Sequence, residues 1–328
     1  MDFTLNITHD GEIKILQITD MQTIDANQRR TPDRIGGWKL TEWVPEKNEE
    51  NTYQYIRDLV KRSNPDLIII TGDITYGEFD DAGTSQLEFC EFMDSLEIPW
   101  APVYGNHDNE TKLGVDWQNK QYENAKYSLF KKGDVFGNGN YSIAVKQNGK
   151  TVRKIAMMDS NGCGKLGITA GFRDDQLDWL EKTMSEEPDV PGFACFHIQT
   201  RDFTDAYIAA GYQTEPDTAE KYTFFELGKD VAAKEGDFGK KLERFGGDQR
   251  IHELCKKCGI DGVFAGHCHA NSTSVLYDGV RYTFGLKTGL YDYYLQDSIG
   301  GTLITLDGNL NGESFSVKHL YCDVPAPR

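Results

Sequence analysis

Polar residues with metal-binding side chains follow five separate apolar runs of this sequence. They are Asp20 and Gln22, then Asp73, then Asn106 with His107 and Asp108, then His197, and finally His267 with His269. Carboxylate, amide and imidazole groups together form an oxygen and nitrogen donor set, which suits borderline or hard transition metals rather than a thiolate site. A carboxylate such as Asp73 can bridge two cations. Two cations roughly 3.5–4 Å apart can hold the attacking and leaving oxygens of an in-line displacement and activate water.

Each of these residues alone also has an ordinary structural interpretation. An aspartate after a strand, such as Asp20 or Asp73, is commonly a turn residue. His197 alone fits a hydrogen-bonded buried histidine. His267 and His269 share one side of an extended segment, a spacing that also arises by chance. The occurrence of all five groups along one chain favours a metal site over these separate explanations.

Alternating apolar runs and helical patterns surround the first three groups. Strands are predicted at Ile13–Thr19, Asp66–Thr71 and Trp100–Tyr104, with helices at Asn51–Arg62 and Thr84–Leu96 between them. This βαβαβ order predicts parallel strands joined by right-handed crossovers. Ligands of such sheets bind outside the carboxyl ends of the strands, which is where the polar groups lie in the sequence.

The rest of the chain predicts further strands, many of them antiparallel. Asn148-Gly149 is a hairpin signal between the strand-like runs Tyr141–Val145 and Val152–Met158. A helix is predicted at Asp174–Ser185, short buried strands at Phe193–His197 and Gly262–Ala265, and hairpin turns at Tyr277–Val280 and Leu306–Asn309. We therefore predict an α/β fold with two mixed β-sheets packed face to face and helices outside. A single domain is predicted over residues 1–328, with insertion loops at about 22–50 and 200–247.

The five polar groups also resemble the signature of a known family. Asp20-x-Gln22, Gly72-Asp73, Gly105-Asn106-His107-Asp108, His197 and Gly266-His267-x-His269 resemble the five blocks of the calcineurin-like metallophosphoesterases, most closely the branch related to purple acid phosphatases. Lys287-Thr288-Gly289 extends the likeness into the C-terminal strands. The resemblance implies a four-layer α/β/β/α sandwich with a dinuclear metal centre of Mn, Fe or Zn.

The resemblance also implies a role for each matching residue. Asp20, Asp73 and His269 would hold the first metal, while Asp73, Asn106, His197 and His267 would hold the second, with Asp73 bridging. His107 would approach the phosphate as a general acid or charge-stabilising donor, and Asp108 would orient the loop. The first block of the family usually has Asp-x-His, whereas this chain has Gln22. Its carbonyl is a neutral oxygen donor that either ligates or leaves the first metal more weakly bound or different in kind.

Residues near the metal blocks are candidates for further contacts. Guanidinium groups match phosphate geometry, so Arg29, Arg30 and Arg34 either contact substrate or form a solvated basic turn. Asn109 and Asn271, which lie beside metal blocks, are candidates for lining the cleft. Tyr76, three residues past Asp73, is either a metal ligand or a packing aromatic. Cys255 and Cys258 form one CxxC pair without a second pair, which favours packing cysteines over a zinc or redox site.

Charge and composition narrow the classes of protein and partner. The net charge of −17 disfavours broad binding of nucleic acid, whose phosphates are neutralised by Lys and Arg. Seventeen Phe, sixteen Tyr and five Trp exclude a disordered acidic tail. The longest apolar runs are too short to span a bilayer, and the N-terminal residues lack a signal-peptide pattern, so we expect a cytoplasmic protein without membrane attachment.

Three functions are consistent with these residues. The first is a phosphomonoesterase acting on a small molecule or as a protein Ser/Thr phosphatase, through hydroxide generated at the dinuclear centre. The second is a phosphodiesterase acting on a cyclic nucleotide or another diester. The third is a non-catalytic metal-binding scaffold, which only Gln22 supports.

Overall fold

The chain forms two β-sheets with helices on their outer faces. The computed structural model describes residues 1–25, 45–162, 168, 170–209, 250–269, 271–292, 294–306 and 314–324. The strands are β1 Phe3–Ile7, β2 Ile13–Ile18, β3 Leu67–Thr71, β4 Trp100–Val103, β5 Tyr141–Gln147, β6 Lys150–Met157, β7 Gly192–Cys195, β8 Ile260–Ala265, β9 Ser274–Tyr277, β10 Val280–Phe284, β11 Gly300–Leu306 and β12 Ser316–Tyr321. The helices are α1 Pro45–Ser63, α2 Thr84–Ser95, α3 Val115–Asn124, α4 Asp174–Met184, α5 Arg201–Ala209 and α6 Arg250–Cys258.

Both sheets are mixed. The seven-stranded sheet has the order β1-β5-β6-β7-β8-β10-β9, and the five-stranded sheet has the order β12-β11-β2-β3-β4. Strands β2, β3 and β4 are parallel neighbours, and β6, β7, β8 and β10 are also parallel. Parallel neighbours end at the same edge of a sheet. The carboxyl ends that carry the polar groups are therefore brought together within each sheet.

Each sheet packs against the other sheet on one face and against helices on its other face. In β7, Phe193 and Cys195 pack into the core between the sheets, whereas Ala194, and Phe196 just after the strand, pack with the helices α4 and α6. On the other side, α1 packs on β2 and β11. This period of two buries both faces of the strand. The resulting order of layers is the predicted α/β/β/α sandwich.

The βαβαβ segment is confirmed, with one difference in its first helix. Helix α1 begins at Pro45 rather than Asn51, so the last part of the predicted 22–50 loop is helical. Its buried side chains Tyr55, Ile56 and Leu59 lie on the face that was predicted to be apolar. The sequence pattern did not predict the first turns of α1, because they are rich in polar residues such as Glu49 and Asn51. An exposed start of a helix shows little hydrophobic periodicity.

The hairpins and the second insertion are partly described by the structure. Asn148 and Gly149 both have positive φ, 53° and 76°, as a tight two-residue turn between β5 and β6 requires. Residues 201–209 of the predicted 200–247 loop form α5, and residues 210–249 lie outside the described residues. The turn at Leu306–Asn309 is largely outside them too, although β11 and β12 on its two sides are antiparallel. Strand β1 had no counterpart in the sequence prediction.

None of the helices within the described residues is long and apolar enough to cross a membrane.

Candidate metal centre

The two sheets meet at the edge where their parallel strands end, and the predicted metal ligands lie there. Asp20 and Asp73 each follow a strand of the five-stranded sheet, while His197 and His267 each follow a strand of the seven-stranded sheet. Asp20, Asp73 and His267 have positive φ angles of 54°, 50° and 69°. Such backbone conformations are costly for residues other than glycine and are concentrated at functional sites. The chain therefore turns sharply at the residues that supply the donor atoms.

The first group of donors contains Asp20, Asp73 and His269. Their candidate ligand atoms lie within 4.8 Å of one another, and all three residues are buried. His269 Nε2 is 3.1 Å from Asp20 Oδ1. The other oxygen of Asp20 accepts hydrogen bonds from the Thr19 hydroxyl, at 2.8 Å, and the His267 backbone N–H, at 3.0 Å. These bonds orient Oδ1 towards the cluster.

The second group contains Asp73, His197 and His267, whose candidate ligand atoms also lie within 4.8 Å of one another. Asn106 joins this group, because its Oδ1 is 3.2 Å from His197 Nε2. Asp73 Oδ2 is 3.3 Å from the same nitrogen. Asp73 belongs to both groups, as the predicted bridging ligand should.

The hydrogen bond of His197 Nδ1 leaves its other ring nitrogen directed at the centre. His197 Nδ1 is 2.7 Å from the carbonyl oxygen of Thr71, and because a carbonyl only accepts, Nδ1 carries a proton. Nε2 therefore faces oxygens of Asn106 and Asp73. A metal ion at Nε2 would be attracted to all three atoms, and donation of the other ring N–H to a carbonyl is the usual support of a metal-binding histidine.

The charges of the buried carboxylates also fit a cation. Burial acts to raise the pKa of Asp20, but His269 outweighs it and holds this pKa at about 2. Burial is likewise outweighed at Asp73, where His197 and His107 hold the pKa well below its usual range. Burial lowers the pKa of His197, but Asp73 raises it to about 9. The centre thus keeps two carboxylates ionised inside the protein, where bound cations can compensate their charge.

Glycines allow the strand ends to approach each other. A Cβ on Gly105 would lie 2.1 Å from Asp73 Oδ1, and one on Gly266 would lie 2.1 Å from the Thr19 hydroxyl oxygen. Gly72 has a φ of 86°, and a Cβ there would lie 2.7 Å from the ring of His197. The glycines of the second, third and fifth blocks therefore serve close packing of the donor residues.

His107 lies beside the second group. Its backbone N–H donates to Asp73 Oδ1 at 2.8 Å, and its ring Nδ1 is 3.1 Å from Glu110 Oε2. The ring stacks on Tyr76 with centroids 4.1 Å apart and an interplanar angle of 22°. Tyr76 itself packs in a buried cluster with Ile24, Phe79 and Tyr291. The ring of Tyr76 therefore packs against His107, as expected for the packing interpretation, while the role of its phenol oxygen stays a prediction.

Asp108 and Asn109 hold the loop that carries Asn106 and His107. Asp108 accepts the backbone N–H of Thr75 at 2.8 Å and that of Gly105 at 2.7 Å. Burial, followed by the nearby charge of Asp73, raises the pKa of Asp108 to about 7, although these N–H donors oppose the change. Asn109 donates from Nδ2 to the Gly105 carbonyl at 3.0 Å. The predicted loop-orienting role of Asp108 agrees with these contacts, and Asn109 makes a contact within the same loop.

Gln22 contacts the cluster in an arrangement that the sequence did not indicate. Its Nε2 donates to Asp73 Oδ2 at 3.3 Å, and its Oε1 accepts from Lys287 Nζ at 2.7 Å. Lys287 is 1% exposed. Burial lowers its pKa to about 8, although Asp20, and then Asp292, oppose this effect. Lys287-Thr288-Gly289 was visible in the sequence, but nothing there connected the lysine with Gln22.

The structure describes only some of the remaining candidates. Arg29, Arg30 and Arg34 fall outside the described residues. Asn271 is buried and accepts from the backbone N–H of Thr273 at 3.1 Å. Cys255 and Cys258 are buried in α6 among the side chains that pack against α4. Within the residues that the structure describes, the clusters of potential metal ligands are the two groups described above.

The sequence matches a family model that covers most of the chain. The model is described as calcineurin-like phosphoesterase, and it matches residues 13–271, which include all five blocks. This chain belongs to the calcineurin-like phosphoesterase family. The resemblance drawn from the five blocks is thereby confirmed. A dinuclear metal centre is typical of the family, and the two groups of Asp and His side chains are candidate ligands for such a centre.

Similar proteins include named phosphatases. A probable inactive purple acid phosphatase 14 from Arabidopsis thaliana is 22% identical over 321 residues, covering 88% of this chain and 73% of that protein. Phosphatase DCR2 from Saccharomyces cerevisiae is 27% identical over 192 residues, covering 55% of this chain and 31% of that protein. This chain therefore corresponds to a part of these longer relatives. A dimetal phosphatase structure from Danio rerio has a TM-score of 0.50 at 11% identity, with 94% of this chain and 98% of that chain covered, and it supports the fold.

Proposed function

We propose that this member of the family is a metal-dependent phosphomonoesterase acting on a small molecule or a phosphoprotein. The position of Asp73 is the observation that supports metal-dependent hydrolysis of a phosphate ester, which is the part of the proposal shared by both ester classes. Its carboxylate belongs to both donor groups, and one of its oxygens accepts the backbone N–H of His107. The bridging carboxylate and the candidate acid are thereby fixed relative to each other.

The donor residues divide the two metal positions between them. Asp20, Asp73 and His269 would hold the first ion, and Asp73, Asn106, His197 and His267 would hold the second. Two bound ions, such as Mn, Fe or Zn, would attract the phosphate group, neutralise its developing charge and lower the pKa of water. A dianionic substrate can then enter an acidic protein, because the local charge at the centre is reversed.

His107 is the residue to which we assign proton transfer. A carboxylate accepts hydrogen bonds, so the contact with Glu110 keeps a proton on Nδ1 of His107. Nε2 is then the ring nitrogen that can exchange a proton with the leaving oxygen. In hydrolysis, water forms the new bond to phosphorus and the bond to the leaving oxygen breaks. His107, when protonated on both ring nitrogens, donates its Nε2 proton to that oxygen, and the proton released by the attacking water balances the step. Stacking on Tyr76 limits rotation of the ring during this step.

A phosphodiester substrate is the second candidate. A probable glycerophosphodiester phosphodiesterase from Arcobacter nitrofigilis is 31% identical over 130 residues, which is 39% of this chain. Diester and monoester hydrolysis can use the same metal ligands, so the ligands do not favour either. The net charge of −17 favours small esters over an extended polyanion in both cases.

An assay of both ester classes with matched variants tests the proposal. p-Nitrophenyl phosphate and bis(p-nitrophenyl) phosphate are compared for the wild type, Asp73→Asn and Asp66→Asn. Asp66 lies at the opposite edge of the sheet, where it accepts the backbone N–H of Lys14. We expect Asp73→Asn to lower kcat/KM for the monoester by about a thousandfold or more, and Asp66→Asn to change it little.

Each outcome of this assay has a distinct meaning. Faster hydrolysis of the diester would replace the monoesterase proposal with the phosphodiesterase. Unchanged activity in a folded Asp73→Asn variant would contradict catalysis at this centre. No hydrolysis by the metal-loaded wild type would favour the non-catalytic scaffold, in keeping with the word "inactive" in the names of three Arabidopsis thaliana relatives.

A further inference from the structure

A buried lysine lies against the first metal position. Lys287 Nζ donates to the backbone carbonyl of Asp20 at 2.9 Å and to Gln22 Oε1 at 2.7 Å. Asp20 and Asp73 are among the charges that act on this ammonium group. A lysine is seldom fully buried unless it is paired, and the partners of Lys287 here belong to the first block of the metal centre.

Backbone contacts fix the position of Lys287. Thr19 and Lys287 form an isolated parallel bridge, and the backbone N–H of Thr288 donates to the Thr19 carbonyl at 2.9 Å. Gly289 passes so close to the first block that a Cβ there would lie 2.0 Å from the Met21 carbonyl oxygen. The lysine is therefore held beside Asp20 by the fold and not only by its own side chain.

Lys287 also determines the orientation of the Gln22 amide. An ammonium group only donates hydrogen bonds and a carboxylate only accepts them. The carbonyl oxygen of Gln22 must therefore face Lys287, and its NH₂ group must face Asp73. The residue that stands in place of the usual histidine thus directs its oxygen towards a cation that the protein already contains.

We propose that Lys287 makes the metal centre unequal, so that the position held by Asp20, Asp73 and His269 binds its ion more weakly than the other. Two effects act together at this position. The carbonyl of Gln22 is engaged by the lysine, and the ammonium charge repels an incoming cation in a buried environment where such repulsion is strong. The other position keeps Asn106, His197 and His267 in addition to Asp73.

This inference rests on the dinuclear centre of the proposed function, and metal binding tests it without an activity assay. Full-length protein stripped with a chelator is titrated with Mn²⁺ by isothermal calorimetry and equilibrium dialysis. We expect two binding steps that differ in affinity by about a hundredfold or more. Lys287→Met should raise the affinity of the weaker step by about tenfold or more and leave the stronger step nearly unchanged.

Two further variants serve as controls. Lys154 is another buried lysine, whose Nζ donates to the carbonyls of Met184 and Glu187. It pairs with Gly192 at the start of β7, whereas His197 follows the end of that strand. Lys154→Met should leave both affinities unchanged, which excludes a general effect of removing a buried charge. Lys287→Gln removes the charge but keeps a donor, and it should also strengthen the weaker step. If Lys287→Met does not fold, Lys287→Gln and the wild-type titration still decide the question.

Equal affinities in the wild type would overturn the inference. An unchanged or lowered affinity of the weaker step in a folded Lys287→Met or Lys287→Gln variant would also overturn it. No binding of Mn²⁺ at all would overturn both this inference and the proposed function. Ester hydrolysis with two equal affinities would leave the proposed function standing and remove this inference. Two unequal binding steps without hydrolysis of any ester would support this inference and contradict the proposed function.

Discussion

Tyr76 is a residue whose chemical type permits two roles, metal ligand or packing aromatic, and whose ring contacts favour packing. A phenol oxygen next to Asp73 is a plausible ligand by type and spacing. In the structure the ring of Tyr76 stacks on His107 and meets the Phe79 ring edge-on at 5.6 Å between centroids. Aromatic contacts of this kind contribute about 0.5–1.5 kcal/mol beyond burial, which is sufficient to restrict the rotation of an imidazole.

Substitution of Tyr76 separates support of His107 from metal binding. We expect Tyr76→Phe to retain metal content and most of the activity, because the stacked ring remains. Tyr76→Ala should retain the metals but lower kcat about tenfold or more, since the platform under His107 is lost. Metal analysis and ester hydrolysis measure the two effects. Loss of a metal equivalent in Tyr76→Phe would instead make the phenol oxygen a ligand.

The loop after β4 is an element whose backbone is as important as its side chains. It carries Asn106 and His107, and Asp108 closes it by accepting the N–H of Gly105. Gly105 also lies against Asp73, where a Cβ would be 2.3 Å from the backbone nitrogen. The loop can therefore reach the bridging carboxylate only with a residue that lacks a side chain.

Gly105→Ala should move this loop away from Asp73. Overpacking of this kind typically lowers the free energy of unfolding by about 1–3 kcal/mol. We expect the rate of ester hydrolysis to fall by a larger fraction than the free energy of unfolding. Gly11→Ala is the matched control, because the nearest atom to its Cβ would be His9 Nδ1 at 3.5 Å. Chemical denaturation and an ester assay measure both quantities. Equal activity in the two variants would show that the close approach is not needed.

Strand β12 is tied to the segment that follows the last pair of histidine donors. His319 Nε2 is 2.7 Å from the Ser272 carbonyl oxygen, and its Nδ1 is 2.9 Å from the Thr302 hydroxyl. The carbonyl requires a proton on Nε2, so Nδ1 accepts from the hydroxyl when the ring is neutral. Burial lowers the pKa of His319 from 6.5 to about 4, because the charged ring is poorly solvated there.

This lowered pKa predicts a loss of stability in mild acid. Between pH 6.5 and 4 the unfolded chain binds a proton at His319 and the folded chain does not, so stability falls as pH falls. The full effect is about 3 kcal/mol. Denaturation of the wild type and His319→Gln at pH 7.5 and 4.5 measures it. The wild type should lose more stability than the variant, and equal losses would contradict this.

Metal binding should stabilise the whole molecule, because its ligands come from both sheets. Asp20, Asp73 and Asn106 follow strands of one sheet, and His197, His267 and His269 follow strands of the other. An ion bound between them holds the two sheets together at this edge. Binding to the folded state alone raises stability by about 2.7 kcal/mol at a ligand concentration of 100 times Kd.

Chelation should therefore lower the melting temperature. For a domain of this size, we expect Tm to fall by about 5 °C when EDTA removes the metals, and to recover when Mn²⁺ is added in excess. Asp73→Asn should lose most of this response, since both donor groups contain that residue. Differential scanning calorimetry measures the change. An equal response in Asp73→Asn would place the stabilising ion elsewhere.

The sequence by itself predicted the candidate donor residues and determined the family and the parallel βαβαβ core. These features depend on residues that are close in sequence. Each strand ends in its own polar block, and the hydrophobic periodicity of a strand or helix is visible within a few neighbouring residues. The same locality explains the errors. The start of α1 and the strand β1 carry weak patterns, and the position of a residue such as Tyr76 depends on which ring it meets.

Only the tertiary structure decided how the donor groups combine. Gln22 and Lys287 are 265 positions apart in sequence, and His319 reaches Ser272 across 47 positions. Such contacts depend on strand order, in which β11 lies between β12 and β2, and on which glycines let two strand ends approach. Residue type gives the chemistry that a side chain can perform. Its partner is set by packing between distant segments, which no local pattern records.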